Sequence, residues 1–309
     1  MLNKSIRVLN LDDSITKQQN LISRYKAEII DLKEFGPKAR LWMNEKTKTR
    51  LEEKMQGSSA DSVTFLGSGD FHHISSTLIN QFHQPLSVIV FDFHPDWDTL
   101  PPRFGCGSWI SRILENKNIK KCILAGVSSG DISSGWLQSG NLDSLENDRL
   151  EIYPYAHKPS RVFFRRIPQS LSFKFKRRLL FDEIYWNELK NKNLKDFFSS
   201  ILKRLPTKEV YVSIDKDCLK RNYALTNWEE GFLSLDELLL MLDLIKQELD
   251  IVGADITGDY SRIDINGKIK GVLSRLDHPA QSLTEKLSES IITATNEQTN
   301  LRLMELLTA

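Results

Sequence analysis

Two carboxylates and an imidazole stand at alternate positions where an apolar run of the sequence ends. The run covers residues 87–91, and Asp92, His94 and Asp96 follow it. Alternate residues of an extended chain face the same side, so these side chains converge if the chain stays extended as far as Asp96. Converging carboxylate and imidazole groups can bind a divalent metal ion. The alternative interpretation is an ordinary loop after a strand, solvated by its own carboxylates.

Further groups of the same kind follow two other apolar runs. The run at residues 63–66 leads into a glycine-containing turn that carries His72 and His73, and the run at 210–214 ends in Asp215 and Asp217. A site rich in carboxylates, with few imidazoles and no clustered thiolates, suits hard or borderline divalent ions such as manganese. Asp92 and Asp215 each open their pair and could bridge two ions. A two-metal site activates a water molecule, which predicts hydrolysis.

The elements that would position these groups alternate between strand and helix. Strands are predicted at residues 6–11, 63–66, 87–91, 121–126, 150–155, 210–214 and 251–256, and helices at 16–35, 74–82, 185–205, 235–249 and 281–307. This order predicts an α/β fold, a three-layer α/β/α sandwich around a mostly parallel sheet. We expect residues 1–309 to form a single domain. In such folds ligands bind outside the carboxyl ends of the strands, where the His and Asp groups occur.

Composition excludes several classes of protein. The chain has 309 residues, 40% hydrophobic and 27% charged, with a formal net charge of +1, which argues against a nucleic-acid-binding protein. No apolar run approaches the length of a membrane span, and the N-terminus has no apolar signal region, so we expect no membrane association. The three cysteines, Cys106, Cys122 and Cys218, are widely spaced, which fits a reducing compartment. These features predict a cytoplasmic protein.

The stretch from residue 158 to 178 is basic and contains several phenylalanines. It holds eight Lys and Arg residues and no acidic residue. One interpretation is a patch for an anionic partner. The other is an ordinary surface segment that is balanced by acidic neighbours such as Asp182 and Glu183, and the near-zero net charge favours this second interpretation.

Three separated motifs together resemble those of the arginase, agmatinase and formiminoglutamase family, the ureohydrolases. They are Gly69-Asp70 followed closely by histidine, Asp92-x-His94-x-Asp96, and Ser213-x-Asp215-x-Asp217. Residues 231–237, Gly-Phe-Leu-Ser-Leu-Asp-Glu, also resemble a stretch that opens a helix in that family. The resemblance spans roughly residues 60 to 260 and implies an arginase-like fold with two divalent metal ions, Mn²⁺ in that family.

Ligands carried over from the family imply two metal positions. One ion would be held by His72, Asp92, Asp96 and Asp215, and the other by Asp92, His94, Asp215 and Asp217. His72 is assigned in the first motif with one extra residue, Phe71, before it, and His73 is a competing candidate. The resemblance also implies a small-molecule substrate and leaves room for a homo-oligomer, because members of the family are often trimers or hexamers.

Two departures from the family pattern concern the substrate. Cys106 stands where the family has a histidine near the substrate, and a thiol there could be a weaker acid, a nucleophile or a spacer. Gly258 stands where arginase-like members have a glutamate that binds the guanidinium, and the adjacent Asp259 would reach the substrate only if the loop shifts. Asp96 and Cys106 are therefore predicted as catalytic residues, and Cys106 and Asp259 as substrate-binding residues.

Two hypotheses follow from the retained ligands and the altered substrate contacts. The first is a dinuclear manganese-dependent hydrolase acting on a C–N bond, other than a peptide bond, of a small molecule other than arginine. The second is a catalytically inactive arginase-like metal-binding protein with a structural or partner-binding role. A metallophosphoesterase is disfavoured, because in that class Gly-Asp follows Asp-x-His, whereas here Gly69-Asp70 precedes it.

Overall fold

The protein is built from eleven strands and ten α-helices within the residues that the structure describes. The structure, a computed structural model, describes residues 5–56, 61–166, 168, 170–267, 270–272, 274, 278 and 281–308. The strands are β1 (Ile6–Asn10), β2 (Glu28–Asp31), β3 (Val63–Gly67), β4 (Leu86–Phe91), β5 (Ile119–Ala125), β6 (Leu150–Tyr153), β7 (Ser160–Phe163), β8 (Phe173–Arg177), β9 (Phe181–Trp186), β10 (Glu209–Asp215) and β11 (Asp250–Thr257). The helices are α1 (Gln19–Tyr25), α2 (Gly36–Ala39), α3 (Glu45–Lys54), α4 (Ser75–Ile79), α5 (Trp109–Glu115), α6 (Leu142–Glu146), α7 (Leu194–Leu202), α8 (Leu235–Glu248), α9 (Gln281–Thr284) and α10 (Glu289–Thr308).

Eight of the strands form one parallel sheet. Their order is β2-β1-β3-β11-β10-β4-β5-β6, and each neighbouring pair is parallel. The strands β3, β11, β10 and β4 therefore lie side by side in the middle, with their carboxyl ends at one edge. The predicted α/β fold class is confirmed. None of the helices in the described part of the chain combines the length and the apolar character that crossing a membrane would need.

Helices cover both faces of this sheet because the strands are apolar on both sides. On β4, Val88 and Val90 belong to one buried cluster, which includes residues of α4 and α5. Ile89 and Phe91 point the other way, into a second cluster that includes residues of α7, α8 and α10. Alternate side chains of one strand thus face opposite layers, which is the physical basis of the three-layer arrangement.

Two predicted helices are wrong in part. The predicted helix at 16–35 ends at Tyr25, where Lys26 adopts a left-handed conformation with φ 49°, and β2 follows as an edge strand paired with β1. The predicted helix at 185–205 starts only at Leu194, because residues 181–186 pair as β9 with β7 and β8. Burial alternates along β9, which is the period of a strand.

Two parts of the basic stretch, β7 and β8, belong to a second, antiparallel sheet of the order β7-β9-β8. Several of its arginines contact acidic side chains. Arg166 lies 2.9 Å from Asp182, Arg161 lies 3.7 Å from Glu183, and Arg165 pairs with Glu146. These ion pairs favour the interpretation of residues 158–178 as a balanced surface segment.

The stretch from Gly231 to Glu237 begins helix α8 with a capping box. The Ser234 hydroxyl accepts a hydrogen bond from the Glu237 backbone N–H at 3.2 Å, and the Glu237 side chain accepts one from the Ser234 backbone N–H at 2.8 Å. Gly231 is required three residues earlier, because a Cβ there would lie 2.0 Å from the Cys218 carbonyl oxygen. The glycine thus lets the chain entering α8 approach the segment that follows β10.

Replacing Ser234 with alanine should remove the cap and lower the free energy of unfolding by about 1 kcal/mol. Urea unfolding followed by circular dichroism measures this change. The matched control is Ser200→Ala, since Ser200 is an exposed residue inside α7 and its hydroxyl donates only to the Phe197 carbonyl of the preceding turn. Equal unfolding midpoints for Ser234→Ala and wild type would contradict the role of the cap.

Candidate metal centre

Three neighbouring strand ends deliver the side chains that the motifs singled out. After β3 the chain forms a 3-10 helix, Gly69–Ile74, which carries His72. After β10 it forms another, Lys216–Cys218, next to Asp215. After β4 it enters the loop that carries Asp92, His94 and Asp96.

His72 lies among three carboxylates. Its Nδ1 is 3.0 Å from Asp92 Oδ2, 3.3 Å from Asp96 Oδ2 and 3.5 Å from Asp215 Oδ2. All four side chains are buried, none with more than 9% of its side chain exposed. One imidazole nitrogen and three carboxylate oxygens therefore face one point.

His94 forms a second group with Asp217 and the same Asp92. Its Nδ1 lies 3.0 Å from Asp217 Oδ2 and 3.8 Å from Asp92 Oδ1. The sets His72, Asp92, Asp96 and Asp92, His94, Asp217 each offer three atoms close enough to one another to ligate an ion. Because Asp92 belongs to both sets, the structure brings together two adjacent candidate positions.

The loop after β4 is not extended as far as Asp96, so that part of the prediction is wrong. The strand ends at Phe91, and Asp96 has a left-handed backbone with φ 46°. The backbone N–H of His94 donates to Asp92 Oδ1 at 2.7 Å, which closes a tight turn. Because the chain turns here, Asp92 and Asp96 both reach the candidate position next to His72. His94 instead lies at the candidate position next to Asp217.

Backbone N–H groups orient three of the carboxylates. Asp92 Oδ1 accepts from His94 N at 2.7 Å, Asp215 Oδ1 from Asp217 N at 3.1 Å, and Asp217 Oδ1 from Phe93 N at 3.1 Å. In each case the other oxygen, Oδ2, makes the closer approach to a histidine. The backbone thus fixes one oxygen of each carboxylate and directs the other into the cluster.

A buried chain of hydrogen bonds fixes the orientation of His72. Its Nε2 lies 2.8 Å from the Ser213 hydroxyl, which donates to Asp255 Oδ1 at 2.7 Å, and the Tyr211 hydroxyl donates to Asp255 Oδ2 at 2.8 Å. Because the Ser213 hydroxyl donates its proton to Asp255, the Ser213 oxygen can accept a hydrogen bond from His72 Nε2–H. The His72 tautomer then has a free lone pair on Nδ1, the nitrogen that faces the carboxylates.

Burial and mutual repulsion disfavour ionised carboxylates in this cluster. Burial raises the pKa of Asp215 to about 8, and the neighbouring Asp217 adds to the effect. Burial, Asp96 and Asp217 raise the pKa of Asp92 well above its usual range. Burial alone would lower the pKa of His72, but its contacts with Asp92 and Asp96 outweigh this and raise it. The cluster therefore needs added positive charge to hold all its carboxylates ionised.

The donor atoms fit a divalent ion. His72 Nδ1 and Asp92 Oδ2 are both buried and have no hydrogen-bond partner, although they lie only 3.0 Å apart. Two ligand atoms that sit at about 2.1 Å from one metal ion, at a right angle, are about 3.0 Å from each other. A shared cation would satisfy both atoms, and so these residues fit a metal site.

One predicted site residue, Asp259, and the competing candidate His73 lie away from this cluster. His73 is buried, neither of its ring nitrogens has a hydrogen-bond partner, and burial lowers its pKa to about 3, helped by Lys270 and His72. Asp259 is 1% exposed and pairs with Lys216 at 2.8 Å, while Gln18 donates to it at 2.6 Å. The structure thus brings His72 and not His73 to the carboxylates, and it holds Asp259 in a separate ion pair rather than toward a substrate.

The backbone at Gly258 leaves no room for a side chain. It therefore excludes the guanidinium-binding glutamate that arginase-like proteins have at this position. Its φ is 88°, a conformation that side chains rarely adopt. A Cβ there would lie 2.4 Å from Asp215 Oδ1 and 2.7 Å from the Lys216 backbone nitrogen. Glycine is therefore required for the end of β11 to pass this close to the cluster.

A cavity of about 330 Å³ opens onto the cluster. Asp92, Asp96, Asp215 and Asp217 line its floor together with His94. Its remaining lining includes Cys106, Trp42, Trp228, Leu100, Asp98 and Asp131. The cavity size suits a small molecule, and Cys106 is one of its lining residues.

The residues that contact Asp70, next to this cavity, were not predicted from the sequence. Asp70 is fully buried and accepts from His278 at 2.7 Å and from the Trp228 indole at 3.1 Å, and it pairs with Arg40. Burial would raise the pKa of Asp70, but Arg40 and His278 outweigh it and lower the pKa well below the usual range. Arg40, Trp228 and His278 lie far apart in sequence, and no motif connects these three residues to Asp70.

Glu229 was missed as well. Its carboxylate lies 3.2 Å from His94 Nε2, and the indole of the preceding Trp228 packs edge-on against the same imidazole with ring centroids 5.2 Å apart. Glu229 can hold the proton of His94 on Nε2, which leaves Nδ1 free toward Asp92 and Asp217.

Part of the chain resembles a known protein family. The family model described as Arginase family matches residues 162–273, a range that contains Asp215, Asp217 and Gly258. This part of the chain is therefore similar to the arginase family. A protein of Thermotoga maritima, described as an uncharacterized protein, is 30% identical over 199 residues, which are 64% of this chain. The match covers 58% of that relative, so this chain spans less than two thirds of its length.

Solved structures of arginase-family enzymes share the fold. Arginase from Bacillus subtilis superposes with a TM-score of 0.57 at 15% identity, covering 99% of both chains. Formimidoylglutamase from Bacillus subtilis gives a TM-score of 0.54 at 15% identity, covering 96% of this chain and 87% of that one. At such low identity these likenesses establish the arginase-like fold alone.

The metal-free protein should lose stability as the pH rises from 5 to 8. Asp215, with its folded pKa raised to about 8, contributes stability that is fully present below its unfolded pKa of about 3.9 and is lost as the pH rises through 8. The raised pKa values of Asp92, His72 and His94 act in the same direction. Thermal unfolding of chelator-treated protein at several pH values measures this loss.

The Asp215→Asn variant provides the control for this dependence. It removes the titrating carboxyl while keeping the size of the side chain, so its unfolding temperature should depend less on pH than that of wild type. A wild-type midpoint that stays constant or rises between pH 5 and 8 would contradict the electrostatic description of the cluster.

Proposed function

We propose that this protein is a dinuclear metal-dependent hydrolase that acts on a C–N bond, other than a peptide bond, of a small molecule. The observation that carries the proposal is the pair of ligand groups that share Asp92. The relation to the arginase family, whose solved members include a formimidoylglutamase, supports a hydrolase of the ureohydrolase type. We further propose that residues 1–309 act as one cytoplasmic domain that can form a homo-oligomer.

The two ions would be held by the six side chains of the cluster. His72, Asp92, Asp96 and Asp215 would hold one, and Asp92, His94, Asp215 and Asp217 the other. The preponderance of carboxylate oxygens over imidazoles, with no thiolate among them, favours Mn²⁺. When bound, such ions activate water and polarise the bond that is cleaved.

Side chains around the cluster would handle the protons. Asp96 lines the cavity, and its Oδ2 accepts a hydrogen bond from the Trp109 indole at 2.7 Å, which holds the carboxylate in place. Asp96 can therefore accept a proton from the attacking water. Cys106 lines the same cavity, where its thiol can donate a proton to the leaving nitrogen.

The substrate is a compound other than arginine. In this chain the position of the guanidinium-binding glutamate is Gly258, which cannot carry a side chain without colliding with Asp215. The neighbouring acid, Asp259, is held by Lys216 and Gln18. A guanidinium would therefore lack the bidentate carboxylate partner that it requires.

A catalytically inactive metal-binding protein is the second candidate function. Two departures from the family pattern favour this candidate. Cys106 stands where the resemblance implies a histidine near the substrate, and Gly258 stands where it implies the guanidinium-binding glutamate. The two candidates differ in one outcome, since both predict metal binding and only the first predicts turnover.

Hydrolysis of amidines and amides by the Mn²⁺-loaded protein should fall by more than about 100-fold in Asp217→Ala, because this change removes a ligand and leaves His94 without its partner. Release of ammonia or amine from a panel of such compounds measures the activity. Asp264→Ala, a change at an exposed residue outside the cavity, is the control and should match wild type. If wild type releases nothing from any compound while binding Mn²⁺, the inactive alternative is correct.

Replacing Ser213 with alanine should weaken Mn²⁺ binding by about 10- to 100-fold, because His72 loses the acceptor that fixes its tautomer. Isothermal titration calorimetry measures the dissociation constant. The control is Ser87→Ala, which removes another buried serine of the sheet whose hydroxyl bonds Thr207 at 2.7 Å. Equal Mn²⁺ affinity in the Ser213 variant and wild type would show that the hydrogen-bond chain does not position His72.

A further inference from the structure

The hairpin between β8 and β9 exposes two leucines. The Arg178 backbone N–H donates to the Phe181 carbonyl at 2.9 Å, which leaves Leu179 and Leu180 as a two-residue turn. Leu179 is 90% exposed and Leu180 is 61% exposed. Two-residue hairpin turns favour Asn, Asp and Gly, and leucine gives such a turn no conformational advantage. The fold of the chain therefore does not explain why these two residues are leucines.

Phe164 extends the same apolar surface. It is 88% exposed, and its backbone N–H donates to the Leu180 carbonyl at 3.2 Å. Its φ of 54° lies in the left-handed region, which is unfavourable for a bulky side chain. Phe164, Leu179 and Leu180 line one small cavity together, and we call these three residues the hairpin tip. Large apolar side chains that lie side by side in water mark a contact surface.

Positive charge surrounds the hairpin tip. Arg178 lies 3.8 Å from Glu183, and Arg161 lies 3.7 Å from the same carboxylate. Arg177 is exposed and stacks on the Phe175 ring, and among the described residues no carboxylate lies within 4.0 Å of its guanidinium. Two arginines thus share one glutamate and a third has none, so the tip favours an acidic partner.

A groove on the outer side of α8 and α10 has the complementary character. Its volume is about 500 Å³, and leucines and charged residues line it: Asp236, Leu239, Leu240, Asp243, Arg302, Glu305 and Leu306. Glu305 pairs with Arg24 at 3.0 Å. Asp236 and Asp243 stand two turns apart on α8, and in the described part of the chain no Lys or Arg nitrogen lies within 4.0 Å of either. The α8–α10 groove therefore offers apolar contacts beside negative charge that has no cationic partner.

The hairpin tip and the α8–α10 groove belong to different layers of the molecule. On the inner side of the small sheet, Val162, Phe173 and Ile184 belong to the buried cluster that includes residues of α4 and α5. The inner sides of α8 and α10 belong to the cluster on the other face of the main sheet. One chain therefore does not place its own tip in its own groove, whereas a second copy can.

We propose that the hairpin tip of one copy binds in the α8–α10 groove of a second copy. Leu179 and Leu180 contact the leucines of the groove, and Arg177 approaches its aspartates. The two surfaces differ, so the contact is head-to-tail and builds a closed ring or a row of copies rather than a two-fold dimer. A symmetric contact between two tips would instead bring arginines against arginines. The inference rests on the proposed function only for the homo-oligomer, whose contact surfaces it names.

Analytical ultracentrifugation of the Mn²⁺-loaded protein at several concentrations tests this contact. Wild type should associate, and the double variant Leu179→Ser, Leu180→Ser should associate more weakly by about 10-fold or more, because its apolar contact is lost. Leu283→Ser, at a leucine that is 53% exposed and lies outside both surfaces, should match wild type. Wild type that stays monomeric, or a double variant that associates as strongly as wild type, would overturn the inference.

Charge reversal tests whether these two surfaces meet each other. Arg177→Asp and Asp243→Arg should each weaken association by about 10-fold or more, and both changes in one chain should restore it, because each contact then regains opposite charges. A combined variant that associates no better than either single variant would contradict the pairing. Wild type that stays monomeric and sediments with vesicles of anionic phospholipid would show that the tip binds a lipid surface instead.

Hydrolysis separates this inference from the proposed function. The double leucine variant should keep the wild-type rate per chain, because the hairpin tip does not line the metal cavity. Wild type that associates as described but hydrolyses no compound would refute the hydrolase and leave the contact standing. Wild type that hydrolyses its substrate as a monomer would refute the contact and leave the hydrolase standing.

Discussion

Four buried carboxylates within contact distance of two imidazoles are the constraint on which the rest of the site depends. Asp92, Asp96, Asp215 and Asp217 come from the ends of adjacent strands, and each pays a desolvation cost on leaving water. Backbone N–H groups offset part of that cost. In three of the four carboxylates, one oxygen accepts a hydrogen bond from a backbone N–H. The remaining oxygens face inward, where bound protons or a cation must offset their repulsion.

The close packing around the Asp215 side chain also explains two neighbouring glycines. Gly258 is a glycine because a Cβ would meet Asp215, and Gly69 is one because a Cβ would lie 2.8 Å from the other oxygen of that carboxylate. Lys216 is fully buried between Asp215 and Asp217 in the sequence, but it pairs with Asp259, which follows β11, and it does not line the cavity. The Lys216 ammonium is therefore held by Asp259 and not by the carboxylates of the cluster.

Much of the fold and of the cluster could be predicted from sequence, because local patterns encode them. Apolar runs that end in aspartates identified β4 and β10, and parallel strands necessarily bring those ends to one edge. The short edge strand β2 was missed because Ile29 and Ile30 also fit the apolar side of a helix. The positive φ of Asp96 could not be predicted either, since the turn depends on the hydrogen bond from His94 N to Asp92.

The contacts among the residues around the cavity could not be predicted from the sequence. Arg40, Asp70, Trp228 and His278 meet only because distant segments pack together, and no spacing along the chain records that contact. Asp259 shows the opposite failure, since its place beside Gly258 suggested a substrate contact. Lys216, the residue between Asp215 and Asp217, pairs with Asp259 instead.

Anomalous diffraction from crystals soaked in Mn²⁺ would show whether the cluster binds two ions. We expect two manganese peaks that share Asp92, one contacted by His72 and Asp96 and the other by His94 and Asp217. A fully soaked crystal with no peak at these side chains, or with a single peak that leaves either histidine without a contact, would contradict it.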